Sequence, residues 1–350
     1  MSAHIERVRR AVEFDSPDYI PLDLVDVPYV YNAYGTKDPQ TVTVPEGAES
    51  FDSAWCTYHW TLENLGKNDL GEPVRKDEWG CRQIIPHDES GAYAVVERPD
   101  LDTIEKVKCH PWPDAEMTNG FFESRKRIFA RHYPDRFING FLDPGPFLIA
   151  FELLGYDRLL MKLIDDIELV KAILRIIVDY QKALVPKFKE MGAHMITIID
   201  EIAGTAGMMF SPEVFRSHFA FYYEELFSEI HRNNMYTAIL LDGNIADILP
   251  DLMKMDIDVQ LFLQPLSTGI DRIQEVFRNR RAVKMGVDMM ETLARGTSED
   301  IYHQVDDFVD KLNTKKGGLL FQALRWFRPE YDPLRVRAQI AAMNVYRQGV

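Results

Sequence analysis

The sequence predicts an α/β fold: a single (β/α)8 barrel of the TIM type with an N-terminal extension. Three observations predict it. First, short apolar runs of strand length alternate with helical patterns from about residue 118 onward. Alternation with short connections calls for a parallel sheet, and closure of that sheet gives the barrel; a doubly wound open sheet is the alternative. Second, several of these runs stop at a polar residue. Met195–Ile199 stops at Asp200 and Glu201, Ala238–Leu241 at Asp242, Val259–Leu263 at Gln264, and Ala282–Val287 at Asp288. Acids at the mouths of buried strands are how such barrels present catalytic groups, and Gly204 and Gly243 allow the sharp turns that follow. Third, 350 residues with 46% hydrophobic content suffice for one barrel core plus an extension.

Taken in chain order, residues 1–14 carry Ile5, Val8, Val12 and Phe14 near helical spacing, which predicts a short amphipathic helix. Tyr19–Val25 reads as the first strand. Residues 26–75 are rich in Pro, Gly and Thr and read as irregular, with an aromatic cluster of Phe51, Trp55, Tyr58, His59 and Trp60. Lys76–Cys81 and Ala92–Val96 read as a small β excursion. Asp102–Val107 reads as a short helix that ends before Pro111. These segments make residues 1–117 the extension. Residues 118–350 hold the regular repeats: helix 119–132, strand 137–141, and helices near 146–155, 157–163 and 167–191. Strands are then expected at 195–200, 237–241, 259–263, 282–287 and 319–323. The helices between and after them are expected at 212–233, 245–255, 270–278, 298–313 and 333–348. No linker interrupts residues 1–350, so one domain is expected.

Composition excludes several classes of function. The 55 acidic against 40 basic residues give a net charge of −15, which argues against nucleic acid and against anionic membrane surfaces. No stretch reaches the roughly 20 apolar residues of a membrane span, and the first ten residues lack the apolar core of a signal peptide. The three cysteines, Cys56, Cys81 and Cys109, form no CxxC pair, so a cytoplasmic location fits and no structural zinc is expected; a weak site built from Asp200, Glu201 and Asp242 would suit a harder ion better.

Several segments carry a further signal through their order and spacing. They are Asp77-Glu-Trp-Gly80, Val95-Val-Glu-Arg-Pro99, Pro111-Trp-Pro-Asp114, Gly192-Ala-His-Met-Ile-Thr-Ile-Ile-Asp-Glu201, Ser211-Pro-Glu-Val-Phe-Arg216, Leu241-Asp-Gly-Asn-Ile245, Met285-Gly-Val-Asp288 and Thr292-Leu-Ala-Arg-Gly-Thr297. Together they resemble the uroporphyrinogen decarboxylase superfamily over most of the chain. The resemblance implies one of two chemistries: cofactor-free decarboxylation of a porphyrinogen, or methyl transfer to or from the cobalt of a corrinoid protein. The decarboxylase branch carries an Arg-rich stretch after its first strand, where this chain has Asp23-Leu-Val-Asp-Val-Pro-Tyr29. The coenzyme M methyltransferases carry a zinc thiolate site with His-x-Cys in the central loop. Here Leu240 and Asp242 stand at those positions, and no cysteine follows Cys109, so the resemblance does not extend to that zinc site. The O- and N-demethylating methyltransferases are the better match. They imply a corrinoid (cobalamin) cofactor carried by a partner protein and a small methylated substrate, and they leave a homodimer open. A carboxy-lyase, or a non-catalytic corrinoid-binding member, is the alternative.

Demethylation needs a proton for the departing oxygen or nitrogen, which is general-acid work. Asp200, Glu201 and Asp242 are the candidates, because clustered carboxylates disfavour one another's charge and one can stay protonated. Gln264 and Asn244 can hydrogen-bond a substrate, and Arg325 can bind a carboxylate. His59, Trp60 and Trp79 are candidates to roof an aromatic substrate or to face a corrinoid ring. Each has a plainer alternative as a turn cap, ion pair or core residue.

Overall fold

Eight strands run parallel in one sheet that curves almost shut in the computed structural model, which describes residues 2–25, 51–58, 63–84, 94–324 and 332–347. They are β1 (Leu22–Val25), β2 (Ser53–Tyr58), β7 (Phe137–Leu142), β8 (Met195–Asp200), β11 (Tyr236–Leu241), β12 (Val259–Phe262), β13 (Ala282–Gly286) and β14 (Leu319–Leu324). β3 (Glu63–Lys67), β4 (Pro73–Lys76), β5 (Arg82–Ile84) and β6 (Ala94–Glu97) form a separate antiparallel sheet, and β9 (Ala203–Gly204) and β10 (Gly207–Met208) a two-stranded ribbon. In the barrel the neighbours follow the order β1-β14-β13-β12-β11-β8-β7-β2. The seam between β1 and β2 is joined by Asp52, whose amide donates to the Leu22 carbonyl at 2.9 Å and whose carboxylate accepts from the Leu22 amide at 2.9 Å.

Helices pack around the sheet. They are α1 (Ala3–Glu13), α2 (Ile104–Cys109), α3 (Asn119–His132), α4 (Pro146–Leu154), α5 (Tyr156–Asp165), α6 (Ile167–Met191), α7 (Ala220–Arg232), α8 (Ile270–Phe277), α9 (Ser298–Leu312) and α10 (Pro333–Tyr346). Their starts follow local chemistry. Asp166 accepts from the Leu169 amide to open α6, and Thr297 forms a reciprocal capping box with Asp300 to open α9. Among the described residues no helix is long and apolar enough to cross a membrane.

The strands are buried on both faces, so burial alone does not separate lumen from helix layer. Gly140 separates them. A Cβ there would lie 2.5 Å from the Phe188 ring of α6, so Gly140 faces the helices and Asn139 and Phe141 face the lumen. The register carries this parity around the barrel through Phe141 beside Thr197, Thr197 beside Ala238, Leu240 beside Leu261, Leu261 beside Lys284, and Gly286 beside Gln322, which lies beside Asp23. The lumen is therefore partly polar. Thr197 donates to Asn139 at 3.0 Å, and Lys284 pairs with Asp23, both fully buried.

Four expectations need correction. Residues 26–75 are not wholly irregular: Ser53–Tyr58 is the second barrel strand, buried along its length. Lys76–Cys81 is mostly a turn rather than a strand. Asp77 accepts from the amides of Trp79 and Cys81, and Gly80 takes a positive φ, so the strands lie on either side. The helix expected over 212–233 is three pieces, with a π-helical turn at Phe215–Phe219 between a short α turn and α7. The helix expected over 245–255 is a 3-10 turn followed by the single α turn Leu249–Leu252.

Candidate active site

Four carboxylates stand where strands open onto the C-terminal mouth: Asp143 after β7, Glu201 after β8, Asp242 after β11 and Asp288 after β13. Lumen parity places Asp143, Glu201, Asp242 and Asp288 on the inner face, each an even number of residues beyond a lumen residue of its strand. Glu201 is exposed, and Asp143 and Asp242 are half-buried. Their proximity shows in their proton affinities. Burial pushes the Asp143 carboxyl up to about 7, aided by the charges of Glu201, Asp200 and Asp242. Burial likewise pushes Asp242 up to about 7, aided by Glu201 and Asp288. The Glu201 carboxyl is also raised, because protein replaces part of its water. One oxygen of Asp242 is buried without a hydrogen-bond partner among the described residues. A carboxyl there carries its proton more cheaply than its charge.

Asp200 plays a different part from its neighbour. It shares the parity of Ile196 and Ile198, so it faces the helices and is fully buried. Its carboxylate accepts from the amides of Phe147 and Leu148 at 2.8 Å each, from the Tyr223 hydroxyl at 2.8 Å and from the Glu201 amide at 3.0 Å. Burial raises it to about 6, opposed by the Tyr223 hydroxyl and those amides. With both oxygens engaged, Asp200 has no lone pair aimed at the mouth. The expectation that it sits in the mouth as an acid beside Glu201 and Asp242 is corrected on that ground.

The loop after β11 has the geometry its glycine demands. Gly243 holds φ +85°, and a Cβ there would lie 2.5 Å from the Ala203 carbonyl oxygen of the ribbon strand β9. The Asn244 amide donates to the Gly204 carbonyl at 2.8 Å. Asn244 spends its side-chain oxygen on the Ala246 amide at 3.1 Å, so it is a turn former in this structure. Gln264 opens the single turn Pro265–Thr268, and its side-chain oxygen is buried without a partner among the described residues. Asp288 is nearly inaccessible and accepts from the amides of Leu266, Met290 and Glu291 at 3.0, 3.1 and 2.9 Å, which ties two strand-end loops together.

The aromatic roof is not formed by Trp79. That side chain is 1% exposed, packed edge-on against Trp112 and Tyr180 with ring centroids 6.3 and 5.1 Å away, and no face is free for a ligand. His59, Trp60 and Arg325 lie outside the described residues. Among the described residues no three or more His, Cys, Asp and Glu side chains converge as metal ligands would. Asp143 was missed in the sequence, although Phe137–Leu142 ending in Asp143, with Gly145 two residues on, repeats the pattern that marked Asp242.

Comparison with known proteins bears on the family and the fold. The model of one family, described as uroporphyrinogen decarboxylase (URO-D), matches residues 78–340. Among solved structures, a methyltransferase from Methanosarcina mazei is similar with a TM-score of 0.69 at 18% identity, covering 98% of this chain and 98% of that one. A B12-independent methionine synthase from Shewanella sp. W3-18-1, in complex with selenomethionine, is similar with a TM-score of 0.46 at 14% identity over 65% of each chain. The homocysteine methyltransferase MmuM from Escherichia coli gives 0.39 at 8% identity, over 96% of this chain and 99% of that one. No curated protein matches the chain.

Proposed function

Because this chain belongs to the uroporphyrinogen decarboxylase family, we propose that it is a methyltransferase of that fold, taking a methyl group from a small O- or N-methylated compound and passing it to a corrinoid held by a partner protein. The observation that carries this reading is the cluster of Asp143, Glu201 and Asp242 at the mouth, with two carboxyls raised to about 7. Such a carboxyl is a proton donor near neutral pH.

The corrinoid is a co-substrate here and supplies the nucleophile. The chain's own residues serve the other end of the breaking bond. As the C–O or C–N bond breaks, the methyl group leaves without the bonding electrons. The pair stays on the oxygen or nitrogen, and a proton from Asp143 or Asp242 neutralises it. The remaining carboxylates orient the compound with its methyl group toward the open side, where Glu201 is exposed. The stretch Asp23-Leu-Val-Asp-Val-Pro-Tyr29 holds no Arg to pair with a polycarboxylate substrate, which counts against porphyrinogen decarboxylation.

Incubation with reduced cobalamin and a panel of methyl ethers and methylamines tests the reading. Methylcobalamin formed with one of them, and lost in Asp242→Asn, is the expected result. Carbon dioxide released from a carboxylated substrate without cobalamin, or corrinoid binding without turnover, would overturn it.

A further inference from the structure

Behind the mouth, the buried contact between Asp200 and Tyr223 joins three elements and touches none of the reacting groups. Asp200 ends β8, Tyr223 comes from α7, and the two amides that Asp200 accepts, those of Phe147 and Leu148, open α4. The segment leading into α4 is Asp143-Pro144-Gly145, and it is gripped at successive points. The Pro144 carbonyl accepts from Gln181 of α6 at 2.9 Å. The Gly145 amide donates to the Ile199 carbonyl at 2.6 Å. Gly145 also lies so close to Asp200 that a Cβ would come within 2.5 Å of its Oδ2. Asp200 is thus a buried anion whose four donors come from the first turn of α4, its own strand end and α7, an arrangement that the amide dipoles of α4 favour.

We propose that Asp200 and Tyr223 are a positioning pair that holds the Asp143 turn against β8, so that the Asp143 carboxyl stays among Glu201 and Asp242. The proposal rests on the reading of Asp143 as a proton donor in methyl transfer. The groups that act on the Asp143 carboxyl are Glu201 and Asp200 at the end of β8 and Asp242 after β11, all of them acids. Tyr223 faces Asp200 rather than Asp143. If the turn relaxed outward, Asp143 would gain water and lose its acidic neighbours. Both changes return its proton affinity toward that of an ordinary aspartic acid. Weakening the hold therefore leaves a signature that loss of packing alone does not.

Tyr223→Phe is the direct test, because it removes one hydroxyl and keeps the ring. Carboxyl carbon NMR of the whole protein without substrate, with the Asp143 signal assigned through Asp143→Asn, follows the titration. The midpoint is expected to fall from about 7 by half a unit or more. Turnover is expected to fall roughly 5- to 10-fold with little change in KM, because the loss is confined to the transition state. Asp200→Asn also removes a charge that itself raises Asp143, so Tyr223→Phe, which keeps the Asp200 carboxyl, carries the test. A Tyr223→Phe protein that melts at lower temperature while Asp143 titrates unchanged would overturn the proposal and leave the pair purely structural. Because the titration needs no cobalamin, a shifted midpoint in a protein without methyl transfer would keep the pairing and sink only the proposed activity.

Discussion

At Asp242 the proton is linked to the stability of the fold. Its carboxyl ionises near 3.8 when the chain is unfolded and near 7 when folded. The folded state therefore holds the proton more tightly. The sign of the linkage follows: the contribution to stability is fully present below about pH 4 and is lost as pH rises through 7. Asp242→Asn keeps the shape without the charge. It is expected to melt a few degrees above the wild type at pH 8 and to flatten the fall in melting temperature between pH 5 and pH 8, while losing ~10²-fold in turnover. Calorimetry at the two pH values checks this, and a variant less stable than wild type at pH 8 would restore Asp242 to a turn-forming role. Turnover of the wild type should likewise decline above about pH 7, as Asp143 and Asp242 release their protons; a rate profile flat to pH 9 would remove both as donors. The inner acids were partly legible in the sequence. Glu201 and Asp242 end apolar runs, and so does Asp143, two residues beyond the strand expected at 137–141. The contrast between Asp200 and Glu201 was not legible. Adjacent residues on a strand face opposite sides, and which side is the lumen depends on pairing with strands distant in sequence.

At the level of elements, the loops after β8 and β11 are locked together at Gly243. Gly243→Ala combines a positive φ with a clash against backbone, so a loss of roughly 2 kcal/mol or more is expected, together with displacement of Asp242. Gly204→Ala is the control: it has no neighbour within 4 Å of a Cβ and no positive φ, and it should change stability by less than ~1 kcal/mol. Urea midpoints of the two variants decide the matter, and equal losses would show that the close approach at Gly243 is unimportant. Elements with strong periodicity were readable, as α6 and β8 show: their bounds agree with those expected from pattern alone. β2 was hidden because Ser53-Ala-Trp-Cys-Thr-Tyr58 lies among Pro- and Gly-rich sequence, and its burial comes from β7 beside it and not from its own composition. The break at Phe215–Phe219 was hidden because a π turn inserts one residue without spoiling the apolar spacing around it.

Over the whole molecule, the barrel seam depends on Asp52. This fully buried carboxylate receives the Leu22 amide, the Arg7 guanidinium at 2.5 Å, His4 at 2.8 Å, and Arg347 from beyond α10. Arg347 also donates to the Ile20 carbonyl at 3.2 Å. Removing one partner leaves a buried charge less compensated, so Arg347→Met is expected to cost roughly 2–4 kcal/mol. Hydrogen exchange should show that loss first at the amides of β1 and β2, and uniform loss of protection across the barrel would contradict a seam-specific role.

The seam also sets an order of events at the ribosome. β1 can pair only once β14 exists, and Asp52 meets Arg347 across 295 residues of sequence. At 5–20 residues per second, that interval is on the order of 15 to 60 s. Until β14 is made the nascent chain carries two unpaired strand edges, and until Arg347 is made a buried-type acid lacks its last counterion. The earliest-made part of the barrel is therefore the last to be finished, and the growing chain passes through the period when it most needs protection from its neighbours before it can do any chemistry.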